Sequence, residues 1–113
     1  MTEREKYFQE KINAIQDTMF VIGGKWKMPI ILSIYQGNTR FNEILNSIPK
    51  ITNRVLFKEL KHLEENLLID RKVTDDYPVK VEYTMTDYGL SLQEIAKPLE
   101  KWGRDHKRKI REK

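Results

Sequence analysis

The chain has 113 residues, of which 39% are hydrophobic and 34% are charged, so its length fits one domain with a modest core. It contains no cysteine, which excludes disulfides, thiolate metal sites and thiol redox sensing within the chain. No apolar run approaches the length of a membrane span, and the charged start at residues 1–6 predicts no secretory signal, so we expect a cytoplasmic protein with no membrane partner.

The positive charge is concentrated at one end. The formal net charge is +4, but residues 101–113 contain seven Lys or Arg and two acidic residues, a net charge of +5, so residues 1–100 have a net charge of −1. A basic helix end is commonly just a solvated surface, so the overall charge is weak evidence for nucleic-acid binding. Any signal for DNA binding has to be local.

The first predicted element is a helix over about residues 4–22. Its apolar residues recur at spacings of four and three and form one stripe: Phe8, Ile12, Ile15, Met19 and Ile22. Gly23-Gly24 is expected to end it, because glycine accepts the left-handed backbone conformation that closes helices.

Two short helices follow. One starts near Lys27 or Met28, has Pro29 in its first turn, where the missing N–H is no loss, and ends at Gly37. Its nearly continuous apolar sequence predicts a central position. After a link at residues 39–41, which could form a β-bridge, a third helix ends before Pro49, because the residue before proline disfavours the helical conformation.

The fourth helix is predicted to run from the N-cap Thr52 to about Asn66, with Leu56, Leu60, Leu63 and Leu67 inside. Residues 68–74 and 80–85 are predicted to be the two strands of a hairpin joined by residues 75–78. Thr86 can cap a last helix with apolar residues Leu90, Leu92, Ile95, Leu99 and Trp102. Pro98 lies in that pattern, and we expect a kink or break there.

The fourth helix has the layout of a DNA-recognition helix. On a helical wheel its leucines fall within about 60° of one another, and Arg54, Lys58 and Lys61 fall on the opposite side. Arg54 can donate two hydrogen bonds to guanine and Asn53 two to adenine, while Lys50, Thr52 and Lys58 suit phosphates. The alternative is a solvent-facing helix with ordinary lysines.

The hairpin and the link before the third helix add further candidates. Arg71, Lys72 and Lys80 place cations around an exposed β-turn, which suits phosphate contacts from its flanks, since Asp75 and Asp76 at the tip oppose deep groove insertion. The alternative is that these side chains protect an edge strand from aggregation. Thr39 and Arg40 are a further candidate phosphate contact, or Arg40 forms a salt bridge. With Phe57, the predicted DNA-binding residues are Thr39, Arg40, Lys50, Thr52, Asn53, Arg54, Phe57, Lys58, Lys61, Arg71, Lys72 and Lys80.

Several segments occur in the order found in one family of bacterial regulators: Ile22–Trp26, Arg40–Ile44, Ile48–Leu56, Leu60–Glu64, Val81–Gly89 and Trp102-Gly103. In these segments, over roughly residues 15–103, the chain closely resembles the HxlR-type winged helix-turn-helix transcription regulators of the MarR-like group. The resemblance implies a homodimeric DNA-binding regulator in which Thr52, Asn53 and Arg54 open the recognition helix and the hairpin is the wing. Many members carry a cysteine near the start of the first helix, and some use it to sense oxidants. This chain has none, so the inducing signal is left open.

The fold class is therefore α+β and mainly α: a winged helix-turn-helix with a two-stranded hairpin and terminal dimerisation helices, in a single domain over residues 1–113. Residues 25–86 are the predicted DNA-binding body. Residues 1–22 and 87–113 carry more apolar surface than one small core needs, which predicts a homodimer interface. The residues assigned to it are Tyr7, Phe8, Ile12, Ile15, Leu99 and Trp102. The alternative is that both helices fold back on their own domain.

The predicted function is sequence-specific transcription regulation at an inverted-repeat operator in double-stranded DNA. A small-molecule effector is left open, in a pocket that Trp26, Met28, Tyr35, Tyr88 and Trp102 could line. We expect no enzyme, catalytic residue, metal or cofactor, because His62 and His106 have no evident catalytic partner and no acidic cluster has metal-ligand spacing. The alternative function is a winged-helix protein-interaction module that binds an acidic partner through Arg54, Lys58 and Lys61.

Overall fold

Six helices and one antiparallel hairpin make up the fold, which a computed structural model describes for residues 1–113. The elements in chain order are α1 Glu3–Ile22, α2 Lys27–Tyr35, α3 Phe41–Ser47, α4 Asn53–Glu65, β1 Ile69–Val73, β2 Val81–Met85, α5 Asp87–Leu90 and α6 Gln93–Arg111. The prediction of a mainly helical α+β fold with one two-stranded sheet is confirmed.

The core lies between α2, α3, α4 and the hairpin. Ile30 and Ile31 of α2 are completely buried, which confirms the predicted central position of this helix. The other largest buried side chains come from each neighbouring element: Ile44, Leu56, Leu60, Leu63, Leu68 and Ile69. The one buried polar residue is Ser33. Its hydroxyl lies 2.6 Å from the Ser47 hydroxyl, so its hydrogen-bonding capacity is not left unsatisfied.

Glycines end the first two helices as predicted. At Gly23 a Cβ atom would lie 2.2 Å from the carbonyl oxygen of Met19, so a larger residue would collide with the last turn of α1. The backbone there is extended, and it is Gly24 that has a positive φ of 87°. Gly37, with a φ of 113°, plays the corresponding part after α2.

The hairpin pairs β1 with β2 from Ile69 opposite Met85 to Val73 opposite Val81. Residues directly opposite each other in an antiparallel pair share a face, so Arg71 lies on the same side as the buried Tyr83. The predicted bridge at residues 39–41 is a single hydrogen bond, in which the amide of Tyr83 donates to the carbonyl of Thr39 at 2.7 Å. This bond ties the link before α3 to the hairpin.

A compact junction joins α4, both strands and α5. The Thr86 hydroxyl donates to the carbonyl of Leu67 at 2.6 Å and accepts from the amide of Gly89 at 2.8 Å, while the Thr86 amide donates to the carbonyl of Leu68 at 3.1 Å. At Gly89 a Cβ would lie only 2.1 Å from the Leu68 carbonyl oxygen. Thr86 thus caps a helix as predicted, and the close backbone approach requires glycine at position 89.

Two local predictions are wrong. Leu67 does not lie inside: it is 68% exposed with a φ of 66°, because the chain leaves α4 there and the amide of Leu68 bonds back to the carbonyl of Leu63. The chain does not break at Pro98: the break lies at residues 91–92, between α5 and α6, and α6 continues past Pro98. Proline removes one helical hydrogen bond, and in this exposed helix water can reach the freed carbonyl.

The two long terminal helices project from the body. Only Ile22 of α1 and Ala96 of α6 are buried, and neither helix packs extensively against another element. The radius of gyration is 17.3 Å, whereas a compact chain of about this length has roughly 13 Å. No helix is apolar enough over a sufficient length to cross a bilayer.

Candidate nucleic-acid interface

The exposed face of α4 is the centre of the candidate interface. Its opposite face is fixed in the core by Leu56, Leu60 and Leu63, each 0–1% exposed, so the orientation of the helix about its axis is determined. Arg54, Lys58 and Lys61 are therefore held in solvent on the outer side, as the sequence pattern predicted. The helix presents a row of cations from a rigid support.

The turn before α4 sets where the helix begins. Ile48 and Ile51 are buried on either side of it, and Lys50 adopts a positive φ of 70°, which turns the chain sharply. The Thr52 hydroxyl accepts from the amide of Val55 at 3.2 Å, so the predicted N-cap is confirmed. Lys50, Thr52 and the adjacent Asn53 are all exposed at this end of the helix.

The cations of the candidate interface have no acidic partners within the chain. The three salt bridges present join Lys27 to Glu59, Lys101 to Asp105 and Arg104 to Glu100. The remaining set is exposed and forms none: Arg40, Lys50, Arg54, Lys58, Lys61, Arg71, Lys72 and Lys80. The salt bridge considered for Arg40 is thus not formed, and these side chains can meet an external anion without breaking an internal pair.

Glu43 orders the link that precedes α3. Its carboxylate oxygen Oε1 accepts from the backbone amides of Thr39 at 3.1 Å and Arg40 at 2.9 Å. The backbone of the link is therefore held at both its amides and, through the Thr39 carbonyl, at the hairpin. Arg40 is exposed and Thr39 is half-buried.

The hairpin separates two cations that are adjacent in the sequence. Arg71 lies on the side that faces α4, where it borders a cleft of about 220 Å³ with Phe57, Lys61 and Glu64. Lys72 lies on the other side of the ribbon, opposite Glu82. Lys80, whose amide bonds the Thr74 hydroxyl at 3.0 Å, follows the same alternation as Lys72. Only Arg71 therefore shares a surface with α4.

A second cleft, of about 670 Å³, lies between the C-terminal end of α1 and α4. Lys58 and Lys61 border it, and so does the ion pair of Lys27 and Glu59, whose 2.9 Å contact joins α2 to α4 with both side chains 15% exposed. Sequence reasoning missed this pair, because the two residues lie in different helices and no local pattern connects them. On the helical wheel Glu59 only flanks the apolar stripe.

His62 belongs to the same cleft. Its ring is nearly perpendicular to the ring of Phe20, with 5.4 Å between the ring centroids, and its buried Nδ1 has no hydrogen-bond partner in the chain. The chain contains no group of three or more His or acidic side chains that could hold a metal ion.

The aromatic residues considered for an effector pocket are not gathered in one place. Tyr88 borders a cleft of about 250 Å³ between α1 and α6, and its side chain, like those of Tyr35 and Trp102, is more than half exposed. Trp26 and Met28 pack against the core. None of the larger clefts brings the five together.

The residues predicted for a dimer interface form exposed stripes on the projecting helices. Tyr7, Phe8 and Ile15 of α1 are 62–64% exposed, and Ile12 between them is half-buried. In α6 Leu99 is 50% exposed and Trp102 is 67% exposed, with the Trp102 ring stacked on His106 at 4.8 Å. Apart from Ile12, these side chains have at least half of their surface exposed to solvent.

Comparisons with known proteins agree with this architecture. The family model for HxlR-like helix-turn-helix proteins matches residues 21–111. The uncharacterized HTH-type transcriptional regulator YdeP of Bacillus subtilis is 38% identical over 96 residues, which cover 85% of this chain and 75% of YdeP.

Solved structures give the same result. The redox regulator HypR in its reduced form superposes with a TM-score of 0.81 at 34% identity, over 88% of this chain and 99% of HypR. The reduced form of the regulator YodB from B. subtilis superposes with a TM-score of 0.72 at 35% identity, over 79% of this chain and 87% of YodB. The similarity to HypR extends over the body and reaches into both terminal helices.

Proposed function

The chain belongs to the HxlR-like helix-turn-helix family of transcription regulators, which are not enzymes, and we propose that it binds an inverted-repeat DNA operator as a homodimer in the cytoplasm. In this proposal α4 enters the major groove and the hairpin is the wing. The observation that carries the proposal is the unpaired, exposed basic side of α4 over its buried leucines.

The first turn of α4 would read base edges. Side chains near the N-terminus of a recognition helix reach furthest into the groove. Asn53 can donate to and accept from adenine, and Arg54 can donate two hydrogen bonds to guanine. Thr52 is exposed beside them, and its hydroxyl, although it accepts from Val55, still has a proton to donate to a phosphate.

Phosphate contacts would surround this reading end. Lys50 and Lys58 flank the first turn, and Lys61 follows one turn later. Arg40, on its ordered link, would reach the backbone from the side of α3. In the wing, Arg71 would contact phosphates of the DNA strand that lies beside α4. Lys72 and Lys80 would face away from that DNA strand and contribute less to the binding affinity. Phe57, which is 62% exposed on the side of α4 that borders the wing, would contact sugars or a thymine methyl.

Dimerisation would cover the apolar stripes of α1 and α6. A twofold axis places two recognition helices on one side of the duplex, and half-sites are then about 34–36 Å apart. Covering these stripes would remove large aromatic and aliphatic surfaces from water, which is the main stabilising contribution to association. Residues 25–86 would remain the DNA-binding body of each subunit.

The signal that controls binding differs from a thiol switch. HypR is described as a redox regulator, whereas no residue of this chain is a cysteine, so no thiol of this chain can be oxidised. A small molecule that occupies a cleft beside α1 would be an alternative kind of effector.

The proposal is tested by selecting bound sequences from a random duplex library. We expect an enriched inverted repeat. Arg54→Ala should relax the preference at one position of each half-site, at a cost of about 1–3 kcal/mol, whereas Lys58→Ala should weaken binding to all sequences alike. Absence of any enriched sequence at moderate salt would refute operator binding and favour the protein-interaction alternative.

A further inference from the structure

Helix α6 has two opposed faces. At 100° per residue, its apolar stripe falls within about 80°, and five of its seven cations fall within about 100° on the opposite side. The apolar stripe consists of Ile95, Leu99, Trp102, His106 and Ile110. The basic face consists of Lys97, Arg104, Lys107, Arg108 and Arg111, all of them exposed.

The acidic residues near the basic face are already used. Glu100 forms a salt bridge with Arg104, and Asp105 forms one of 2.7 Å with Lys101, where the hydrogen bond and charge of the carboxylate raise the pKa of Lys101. The other four cations of the basic face have no acidic partner. Local pairing therefore does not neutralise this surface.

The basic face also holds most of the positive surplus of the chain. Its five cations and Glu100, the acidic residue on the same side of α6, give a net charge of +4, whereas residues 25–86, the body that would read the operator, have ten Lys or Arg against eight acidic residues, a net charge of only +2. Sequence-independent affinity for DNA comes from displacing counterions with Lys and Arg. A body of such low net charge gains little from this effect, and the larger source lies on α6.

We propose that the basic face of α6 binds the phosphates of duplex DNA without regard to sequence, outside the segment read by α4 and the hairpin. This proposal rests on the proposed function in one respect: when a second subunit covers the apolar stripe, the opposite face points outward. The same arrangement favours DNA over a lipid surface, because membrane binding by an amphipathic helix would require the apolar stripe itself.

The test removes charge without removing helix-forming side chains. The α6 variant carries Lys97→Gln, Lys107→Gln, Arg108→Gln and Arg111→Gln, and the matched control carries Arg4→Gln, Lys6→Gln, Lys11→Gln and Lys113→Gln, which lie outside both the DNA-binding body and the basic face. Both variants have four fewer exposed cations than the wild type, and circular dichroism checks their helix content. The probes are random-sequence duplexes of about 20 bp, the span of two half-sites, and of about 60 bp, measured by fluorescence anisotropy over a salt series.

On the long duplex we expect the α6 variant to bind at least about tenfold more weakly than the wild type. The slope of log affinity against log salt should shrink by about 0.9 for each phosphate that the variant no longer neutralises. The control variant should keep the wild-type slope, and on the short duplex the affinity of the α6 variant should fall much less than on the long one.

Three results would overturn the proposal: an unchanged slope in the α6 variant, an equal fall in affinity in the control variant, or an equal fall on both duplex lengths. A fourth result would assign the basic face to a lipid surface instead of DNA: the α6 variant would bind DNA as the wild type does but would no longer bind phosphatidylserine vesicles. Because random duplexes need no operator, failure to find an operator would refute the proposed function while this comparison still decides the role of α6.

Discussion

Thr52 allows the cap of the recognition helix to be separated from its contact with DNA. Its hydroxyl accepts from the amide of Val55 at 3.2 Å, at the point where the chain enters α4. Thr52→Ala removes this acceptor and leaves an amide of the first turn without a partner. Removing such a cap costs about 1 kcal/mol of the free energy of unfolding, which corresponds to roughly 4 °C in Tm for a domain of this size.

Two further substitutions at Thr52 separate its effect on helix stability from its effect on DNA affinity. Thr52→Ser keeps the capping oxygen and should retain both stability and DNA affinity. Thr52→Asp also caps, and its charge at the positive end of the helix should add about 0.3–1 kcal/mol of stability. If α4 approaches DNA by its N-terminus, the same carboxylate meets phosphates, and affinity should fall by about tenfold or more, equivalent to about 1.4 kcal/mol.

The measurements are urea unfolding at a fixed subunit concentration, since association shifts apparent stability, and anisotropy titration with a selected operator. The expected pattern is low stability for the alanine variant alone, together with low DNA affinity for a fully stable aspartate variant. If Thr52→Asp binds DNA as tightly as the wild type, the N-terminus of α4 does not face the duplex. If Thr52→Ala unfolds at the wild-type urea concentration, the hydroxyl does not stabilise the helix.

Three other predictions concern assembly and packing. Phe8→Glu should convert dimers to monomers in sedimentation velocity, whereas Tyr35→Glu, an exposed aromatic on α2 outside the proposed interface, should not; dimers in both would refute the part assigned to α1. Leu60→Ala should lower the free energy of unfolding by about 2–5 kcal/mol, because this side chain is 1% exposed in the core, and a decrease below about 1 kcal/mol would contradict its position. Gly89→Ala should lower the free energy of unfolding by about 1–3 kcal/mol or more, because the new Cβ would collide with the Leu68 carbonyl. In the control Gly103→Ala no atom lies within 4 Å of the new Cβ, so this substitution should raise the free energy of unfolding by about 0.5–1 kcal/mol. Equal effects of the two substitutions would refute the close approach at position 89.

The elements that the sequence predicted best are those governed by local rules. The buried side and N-cap of α4 follow from leucine spacing and from Thr52, and both are confirmed. The end of α1 follows from two glycines. In each case the signal lies within a few residues of the feature that it determines.

The features that sequence reasoning missed depend on the tertiary fold. Leu67 continues the leucine periodicity of α4 but lies beyond its last turn, where the chain bends toward β1. The ion pair of Lys27 and Glu59 joins helices whose packing the sequence does not reveal. Strand alternation separates Arg71 from Lys72, but only the register with β2 shows that Arg71 is the one beside α4. Local patterns locate the surface, whereas long-range contacts decide which of its side chains act together.

The junction at Thr86 has a mechanical consequence. Its hydrogen bonds and the close approach at Gly89 join the end of α4, the base of the hairpin and α5, which leads into α6 through only two residues, 91–92. We expect a tilt of α6 to move the recognition helix and the wing together as one rigid body. In a twofold dimer, an effector that changes the angle between the paired α6 helices would then alter the spacing between the two recognition helices, while the DNA-binding body of each subunit kept its shape.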